Sequence, residues 1–261
     1  MRAVIIGSGA SWPDSARASP SQVIVVGNEP LLFDCGPGTG MNLMKADINP
    51  ATISRMFLTH LHMDHCLEFP SIVFGGYLMD RKDEVHLHGP VGTMDFYQTL
   101  FEKVYPSAPE IVRRMRPDGW NVASFEVTGG VVCETESYRV VSAPVEHEIP
   151  TMAYRIETDE GTVVISGDTR PSKSLIELAK GADLLIHECS FPDDMVELAR
   201  RTNHSAASEV GEVASQARVK KLVLTHLFPI WKGREKEMVR SVSNKFGGQV
   251  IASYDLLEIK L

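Results

Sequence analysis

Four potential metal ligands fall within six residues of the sequence, in the segment 60–65 (HLHMDH). Imidazole and carboxylate groups suit zinc, manganese or iron. The segment follows an apolar run typical of a strand, and His60 and His62 are two residues apart, so both side chains can point the same way. Asp64 and His65, on the following turn, can face a second ion. Clustered histidines also occur on solvated loops, but three of the nine histidines of the chain lie here, which favours a metal site.

Further potential ligands stand where other predicted strands end. His147 follows the apolar run 140–145, Asp168 follows a Gly at the end of 163–167, and His226 follows 222–225. A strand that delivers a polar residue at its carboxyl end is how open sheets build sites. Taken singly, each is as typical of a capping aspartate or a loop histidine. Together with the hexapeptide they predict one shared metal site.

Bulk properties limit the function classes. Of the 261 residues, 43% are hydrophobic and 23% charged, which is typical of a soluble globular protein. No apolar stretch reaches the ~18 residues of a membrane span, and the amino terminus is typical of a strand rather than a signal peptide, so we expect a cytoplasmic protein. A net charge of −8 argues against a dedicated nucleic-acid binder. The four scattered cysteines predict neither a disulfide framework nor a zinc knuckle.

Short apolar runs alternating with helical patterns predict an α/β fold with layered sheets in a single domain, 1–261. The segment 104–124 is the least regular and is interpreted as a loop or lid. The predicted strands are 2–6, 22–27, 31–34, 53–58, 84–88, 131–133, 138–142, 152–158, 162–166, 183–187, 221–225, 249–252 and 255–260. The predicted helices are 38–46, 67–78, 91–102, 172–180, 192–201, 205–218 and 232–245.

The ordered motifs resemble the metallo-β-lactamase superfamily over nearly the whole chain. The motifs that carry this resemblance are HxHxDH at 60–65, His147, Gly167-Asp168-Thr169 and Leu224-Thr225-His226. The segments 7–9, 19–21 and 32–38, Arg17, and the pair 187–190 (HECS) and 204–206 (HSA) look like its ribonuclease Z-like branch. The resemblance implies a four-layer αββα sandwich with the site at one edge.

The resemblance also implies residue roles. His60, His62 and His147 would hold one divalent ion, Asp64, His65 and His226 a second, and Asp168 would bridge them. The ions, zinc or else manganese or iron, would share a hydroxide that acts as nucleophile at neutral pH. Asp64, Glu188 and His204 are the candidate catalytic residues, with Glu188 orienting His204 as an acid or anion stabiliser. Without the family, Glu188 could simply cap a helix and His204 flank one.

Other side chains near these motifs have less specific interpretations. Asp34, Thr59 and Thr225 are candidate hydrogen-bond partners of ligand imidazoles. His86 and His88 alternate on one predicted strand with no neighbouring carboxylate, and they are interpreted, like His187, as structural. The aromatic residues that could line an enclosed pocket are Phe74, Tyr77, Tyr105, Trp120, Phe191, Phe228 and Trp231.

Two departures from the branch concern the substrate. Its tRNA-processing members insert a long arm between the third histidine motif and the bridging aspartate, whereas only 21 positions separate His147 from Asp168. Met63 replaces the usual glycine and would narrow the space over the metals. The sequence therefore predicts a small phosphodiester rather than tRNA as substrate. The alternatives are a carboxylic ester, lactone or aryl sulfate, or a non-catalytic binding protein, which should lack ligands that this chain retains. Dimers are common in the branch, so a homodimer is expected by analogy.

Overall fold

The computed structural model describes residues 1–261 and contains fourteen strands and nine α-helices. The strands are β1 (Arg2–Gly7), β2 (Ser21–Val26), β3 (Glu29–Phe33), β4 (Arg55–Phe57), β5 (Val85–Gly89), β6 (Val122–Glu126), β7 (Gly130–Glu134), β8 (Arg139–Val145), β9 (Thr151–Thr158), β10 (Gly161–Ile165), β11 (Leu184–Glu188), β12 (Lys221–Thr225), β13 (Gln249–Ala252) and β14 (Leu257–Lys260). The helices are α1 (Thr39–Lys45), α2 (Met63–Cys66), α3 (Phe69–Leu78), α4 (Thr93–Gln98), α5 (Ser107–Met115), α6 (Lys173–Leu178), α7 (Val196–Arg201), α8 (Ala207–Ala217) and α9 (Glu235–Ser243).

The strands form two mixed seven-stranded sheets. The first has the order β14-β1-β2-β3-β4-β5-β6, and the second has the order β13-β12-β11-β10-β9-β8-β7. In each sheet one half is parallel, β3 to β6 in the first and β10 to β13 in the second. The other half of each sheet is antiparallel. Because parallel strands run in one direction, the loops that follow them gather at one edge.

The alternation of side chains along each strand explains the layers. In β1, Ala3 and Ile5 belong to the core between the two sheets, whereas Val4 and Ile6 pack toward the helices beside the first sheet. A separate core buries α6, α8 and α9 on the outer face of the second sheet. Helices therefore cover both outer faces, and the predicted four-layer αββα fold is confirmed.

Most predicted elements differ from the observed ones by one to three residues at their ends, but the interpretation of 104–124 as irregular is wrong. This segment contains α5 and the start of β6, preceded by a π-helical turn at Thr99–Val104. Pro109 argued against a helix in the sequence, because proline usually interrupts one. It lies in the first turn of α5, where a missing N–H costs no helical hydrogen bond.

No helix of the structure combines the length and the apolar character that crossing a bilayer requires.

Candidate active site

The predicted site residues stand just beyond, or at the end of, strands of both sheets. His60 follows β4, His147 follows β8, Asp168 follows β10 and His226 follows β12, while Glu188 is the last residue of β11. The structure brings all five to one edge of the sandwich. The two sheets thus contribute to one site from opposite sides, as the strand-end argument predicted.

Left-handed backbone at three turns redirects the chain as it enters the site. Asp34 has φ 55°, His226 φ 58° and Gly167 φ 62°. Residues other than glycine rarely adopt this conformation, which costs about 1 kcal/mol or more and is concentrated at functional sites. At Gly167 a Cβ atom would also lie 3.0 Å from the Cβ of Thr59, so glycine fits there best. The strain at Asp34 and His226 is retained where each side chain meets an imidazole or carboxylate partner.

Three imidazoles form the first group. Nε2 of His60 lies 3.0 Å from Nδ1 of His62, and Nε2 of His147 lies 3.3 Å from that same Nδ1. His60 is buried, whereas His62 and His147 are half-buried and lie toward solvent. Three nitrogens this close leave room for a shared cation, and the group matches the set predicted for the first ion.

A carboxylate and two imidazoles form the second group, and Asp168 contacts both groups. Oδ2 of Asp64 lies 3.6 Å from Nε2 of His65 and 3.4 Å from Nε2 of His226. Oδ2 of Asp168 lies 3.1 Å from Nε2 of His226, 3.4 Å from Nε2 of His65 and 3.8 Å from Nε2 of His60. One carboxylate oxygen therefore stands between the two groups.

The electrostatics of this cluster favour a cation. Burial opposes protonation of His65, but Asp168, Asp34 and Asp64 outweigh it and raise the pKa of this imidazole well above its usual value. Burial also opposes charge on Asp168, yet His226 and His65 hold the pKa of that carboxyl well below its usual range. Nε2 of His65 is buried without a hydrogen-bond partner. Five imidazoles and two carboxylates fit a borderline divalent metal.

Hydrogen bonds behind the cluster orient its rings. Asp34 Oδ2 lies 2.8 Å from Nδ1 of His65, and Thr59 donates its hydroxyl to the same oxygen at 2.8 Å. Thr59 Oγ1 also lies 3.0 Å from Nδ1 of His60. The predicted roles of Asp34 and Thr59 agree with these contacts. The one proposed for Thr225 is wrong, because its buried hydroxyl has no partner.

His204 and Glu188 form a buried pair beside the cluster. His204 Nδ1 lies 3.0 Å from Glu188 Oε1 and 4.0 Å from Asp168 Oδ2. Burial disfavours the imidazolium, but Glu188 and Asp168 outweigh it and raise the pKa of His204 to about 9. Glu188 Oε1 also accepts backbone N–H bonds from Thr169 at 3.2 Å and Ser205 at 3.1 Å. It is therefore fixed between two loops and does not merely cap a helix.

Sequence reasoning missed two residues that join this pair to the cluster. Ser190 donates its hydroxyl to Glu188 Oε2 at 2.6 Å and lies 2.9 Å from Nδ1 of His226. Its spacing of two residues from Glu188 could have indicated that both share one side of the chain. The Asn203 carbonyl accepts from Nδ1 of His147 at 3.0 Å. A main-chain contact of this kind leaves no sequence signal.

Several predicted neighbours lie elsewhere. Tyr77 and Trp120 pack together at 5.2 Å between ring centroids in the core beside the first sheet, so they do not line the site. The statement that His86 lacks a carboxylate neighbour is wrong, because its Nε2 lies 2.8 Å from Glu84 Oε2. Cys66 is buried and donates to the His62 carbonyl. Burial raises the pKa of its thiol to about 12, as expected of an unreactive side chain.

Known proteins resemble this chain in sequence and fold. The family model described as "Beta-lactamase superfamily domain" matches residues 30–227. Ribonuclease Z of Ignicoccus hospitalis is 34% identical over 277 residues, covering 91% of each chain. The chain belongs to the metallo-β-lactamase superfamily. Within the superfamily it is ribonuclease Z-like.

Two further relatives extend the likeness to full length. Ribonuclease Z of Methanosarcina acetivorans is 29% identical over an alignment of 310 positions, which covers 100% of this chain and 98% of the relative. The crystal structure of the human short-form tRNase Z superposes with a TM-score of 0.81 at 26% identity, covering 100% of this chain and 99% of the human one. Together with the buried histidine and aspartate groups, these likenesses make the protein a metal-dependent, phosphodiesterase-like hydrolase of the metallo-β-lactamase family.

Proposed function

We propose that the protein hydrolyses a small phosphodiester with a pair of divalent metal ions. The observation that carries this proposal is the position of Asp168, whose Oδ2 lies 3.1 Å from His226 and 3.8 Å from His60. A carboxylate between two separate ligand groups is what a two-ion site requires. A single ion would leave one group without a role.

The ligand assignment follows the two groups. His60, His62 and His147 would hold the first ion, Asp64, His65 and His226 the second, and Asp168 both. Bound there, the ions supply Lewis acidity toward phosphoryl oxygens and lower the pKa of water to near neutrality. A nitrogen-rich donor set favours zinc, with manganese or iron as alternatives.

His204 is the proposed acid. Its Nδ1 is engaged by Glu188 at 3.0 Å, which leaves Nε2 as the nitrogen able to deliver a proton. Glu188 outweighs burial and raises the pKa of this ring, which favours the imidazolium that can protonate a departing alkoxide. Glu188 positions the ring and sustains its charge. Asp64 is expected to act through its metal contact and, as a neighbour of His226, to shape the space for the substrate.

The proposed substrate is smaller than tRNA. β9 and β10 fill the interval between His147 and Asp168, and the net charge of −8 disfavours a long polyanion. The alignment with the Methanosarcina acetivorans relative has 310 positions, whereas this chain has 261 residues. The relative therefore carries segments that have no counterpart in this chain. Precursor tRNA is the competing substrate, because the relatives with the most similar sequences reported above are ribonuclease Z proteins.

Activity assays separate these functions. Zinc-, manganese- and iron-loaded protein would be assayed against bis-p-nitrophenyl phosphate, p-nitrophenyl acetate, a lactone panel and a precursor tRNA with a 3′ trailer. We expect turnover of the phosphodiester, lost in Asp168→Ala together with bound metal. Turnover confined to carboxylic substrates would overturn the proposal. Specific trailer removal far faster than turnover of the small diester would favour the competing substrate.

A further inference from the structure

Four aromatic rings form a continuous aromatic wall on the side of the site that holds His204. The centroids of Phe191 and Phe228 are 5.7 Å apart, and that of Phe228 lies 5.5 Å from the His226 imidazole. Trp12 meets Phe228 edge-on at 6.2 Å, and Trp231 lies 6.0 Å from Phe191. The aromatic wall therefore begins at a candidate metal ligand and ends at Trp12.

The inner rings of this wall are fixed, whereas its outer end is open to solvent. Trp231 donates its indole N–H to the Ser190 carbonyl at 2.8 Å, and Phe191 is buried. Trp12 is 50% exposed, and Ile230, which precedes Trp231 in the chain, is 49% exposed. Aromatic side chains beside a few convergent polar groups are typical of the lining of ligand sites.

The loop that carries Trp12 is anchored by hydrogen bonds at its carboxyl end. Arg17 Nη1 donates to Ser8 Oγ at 2.8 Å and to the Ser253 carbonyl at 2.7 Å. Asp255 accepts from the backbone N–H of Ala18 at 2.7 Å. These bonds fix the loop at Arg17 and Ala18, and the edge-on contact with Phe228 holds the Trp12 ring itself, which limits the ordering cost of binding.

Trp12 also lines a cavity of about 770 Å³, which none of the imidazoles lines. Its other lining residues include Arg17, Met41, Asn42 and Lys45. The volume lies in the range of small-ligand pockets, roughly 300–1,000 Å³. Trp12 is thus shared by this cavity and by the aromatic wall, whose Phe228 contacts His226.

We infer that Trp12 and Phe228 form a stacking subsite for a planar aromatic ring, a nucleobase, carried by the phosphate ester that binds at the cluster. The inference rests on the proposed phosphodiesterase function and names its substrate class. Stacking on an aromatic side chain is tolerant of the base and strengthens binding by roughly 5- to 150-fold. Trp12 would then set specificity without taking part in the chemistry.

Calorimetric titration of zinc-loaded protein tests the subsite. The probes are adenosine 5′-monophosphate, phenyl phosphate and ribose 5-phosphate, which share the phosphate and differ in the ring. We expect adenosine 5′-monophosphate to bind about 5- to 150-fold more tightly than ribose 5-phosphate. Trp12→Leu should collapse this ratio, and Trp12→Phe should keep most of it. Phe125→Leu, at a 41% exposed aromatic residue of β6, is the matched control and should leave the ratio unchanged.

The outcomes separate this inference from the proposed function. Equal binding of adenosine 5′-monophosphate and ribose 5-phosphate, or a ratio that survives Trp12→Leu, would overturn the subsite even if bis-p-nitrophenyl phosphate is hydrolysed. A preference for phenyl phosphate above the nucleotide would support the ring subsite and assign it to an aryl ester. Failure of all phosphodiester turnover, with the nucleotide preference intact, would sink the proposed function instead.

Discussion

The tripeptide His-Leu-His occurs twice in this chain, at 60–62 and at 86–88, and the two copies have different surroundings. The first follows β4, where His62 lies close to His147 and His60 lies close to Asp168. The second lies within β5, where the ring of His88 is stacked between Phe57 at 5.2 Å and Phe125 at 4.9 Å. Neither ring nitrogen of His88 has a hydrogen-bond partner.

The difference shows that ligand spacing alone does not make a metal site. Both copies place two imidazoles two residues apart, which directs them to one side of an extended chain. Only the copy beyond a strand end meets potential ligands that follow strands of the other sheet, His147 and Asp168, because loops of both sheets converge there. Around His88 the neighbouring groups are His86 and Arg55, which oppose a cation, and burial adds to their effect.

Replacing the second histidine of each tripeptide by leucine should give the largest difference in metal content between the two copies. His62→Leu removes a nitrogen within 3.3 Å of two other imidazoles, so we expect the loss of bound metal and of hydrolysis. The loss of affinity should exceed the ~10–100-fold that outer partners cost. His88→Leu should retain full metal content. Metal analysis after dialysis measures both, and equal metal loss in the two variants would show that the first copy is no ligand.

The second prediction separates the proposed acid from the ligands. His204→Ala should keep its metal but slow cleavage of a dinucleotide, whose leaving group is an alkoxide, by ~10²–10⁴. The defect should be smaller for bis-p-nitrophenyl phosphate, since p-nitrophenoxide departs without a proton. His86→Ala, at a half-buried imidazole outside the cluster, serves as control. Wild-type rates on both substrates would refute the role of His204, and lost metal would make it a ligand.

The third prediction uses the second copy of the tripeptide. Burial first, then His86 and Arg55, lower the pKa of His88 from 6.5 to about 4. Above pH 6.5 neither the folded nor the unfolded state binds this proton. Between pH 6.5 and 4 only the unfolded state does, so the free energy of unfolding falls by about 3 kcal/mol as the pH drops.

Urea unfolding of metal-free protein at several pH values measures this effect. His88→Leu should remove this part of the pH dependence, because leucine fills the space between Phe57 and Phe125 without a titratable group. His86→Gln should retain most of it, because burial, the largest cause of the lowered pKa, is unchanged. An unfolding free energy with the same pH dependence in His88→Leu and the parent would show that His88 titrates normally.

The sequence was sufficient to predict the layers and the convergence of site side chains. Strand ends can be read from apolar runs that stop at a polar residue, as at Asp168 and His226, and parallel strands bring such ends together. The observed strand ends differ from the predicted ones where a left-handed residue ends or precedes the strand. β3 ends at Phe33 because Asp34 turns left-handed, and β14 begins only after Leu256, whose φ is 68°.

What sequence reasoning missed depends on tertiary contacts. Asn203 contributes a carbonyl oxygen, which every residue has, so nothing distinguishes it before the chain is folded. Ser190 matters through His226, 36 positions away. Thr59 and Thr225 look equivalent, since each precedes a histidine at the end of a strand. Only the fold shows that Asp34 reaches one hydroxyl and that no group reaches the other.

This pair of threonines provides the smallest and most selective test. Thr59→Val removes a hydroxyl bonded to Asp34 and lying 3.0 Å from Nδ1 of His60, so the ring loses an orienting contact. We expect metal affinity to fall by ~10–100-fold. Thr225→Val, which removes an unpartnered hydroxyl, should leave it unchanged. Competition with a zinc chelator measures both, and valine preserves the side-chain volume in each case. Equal weakening of metal binding in the two variants would show that the contacts of the Thr59 hydroxyl do not orient His60. The change in affinity would then come from substitution beside a ligand and not from the loss of a hydrogen bond.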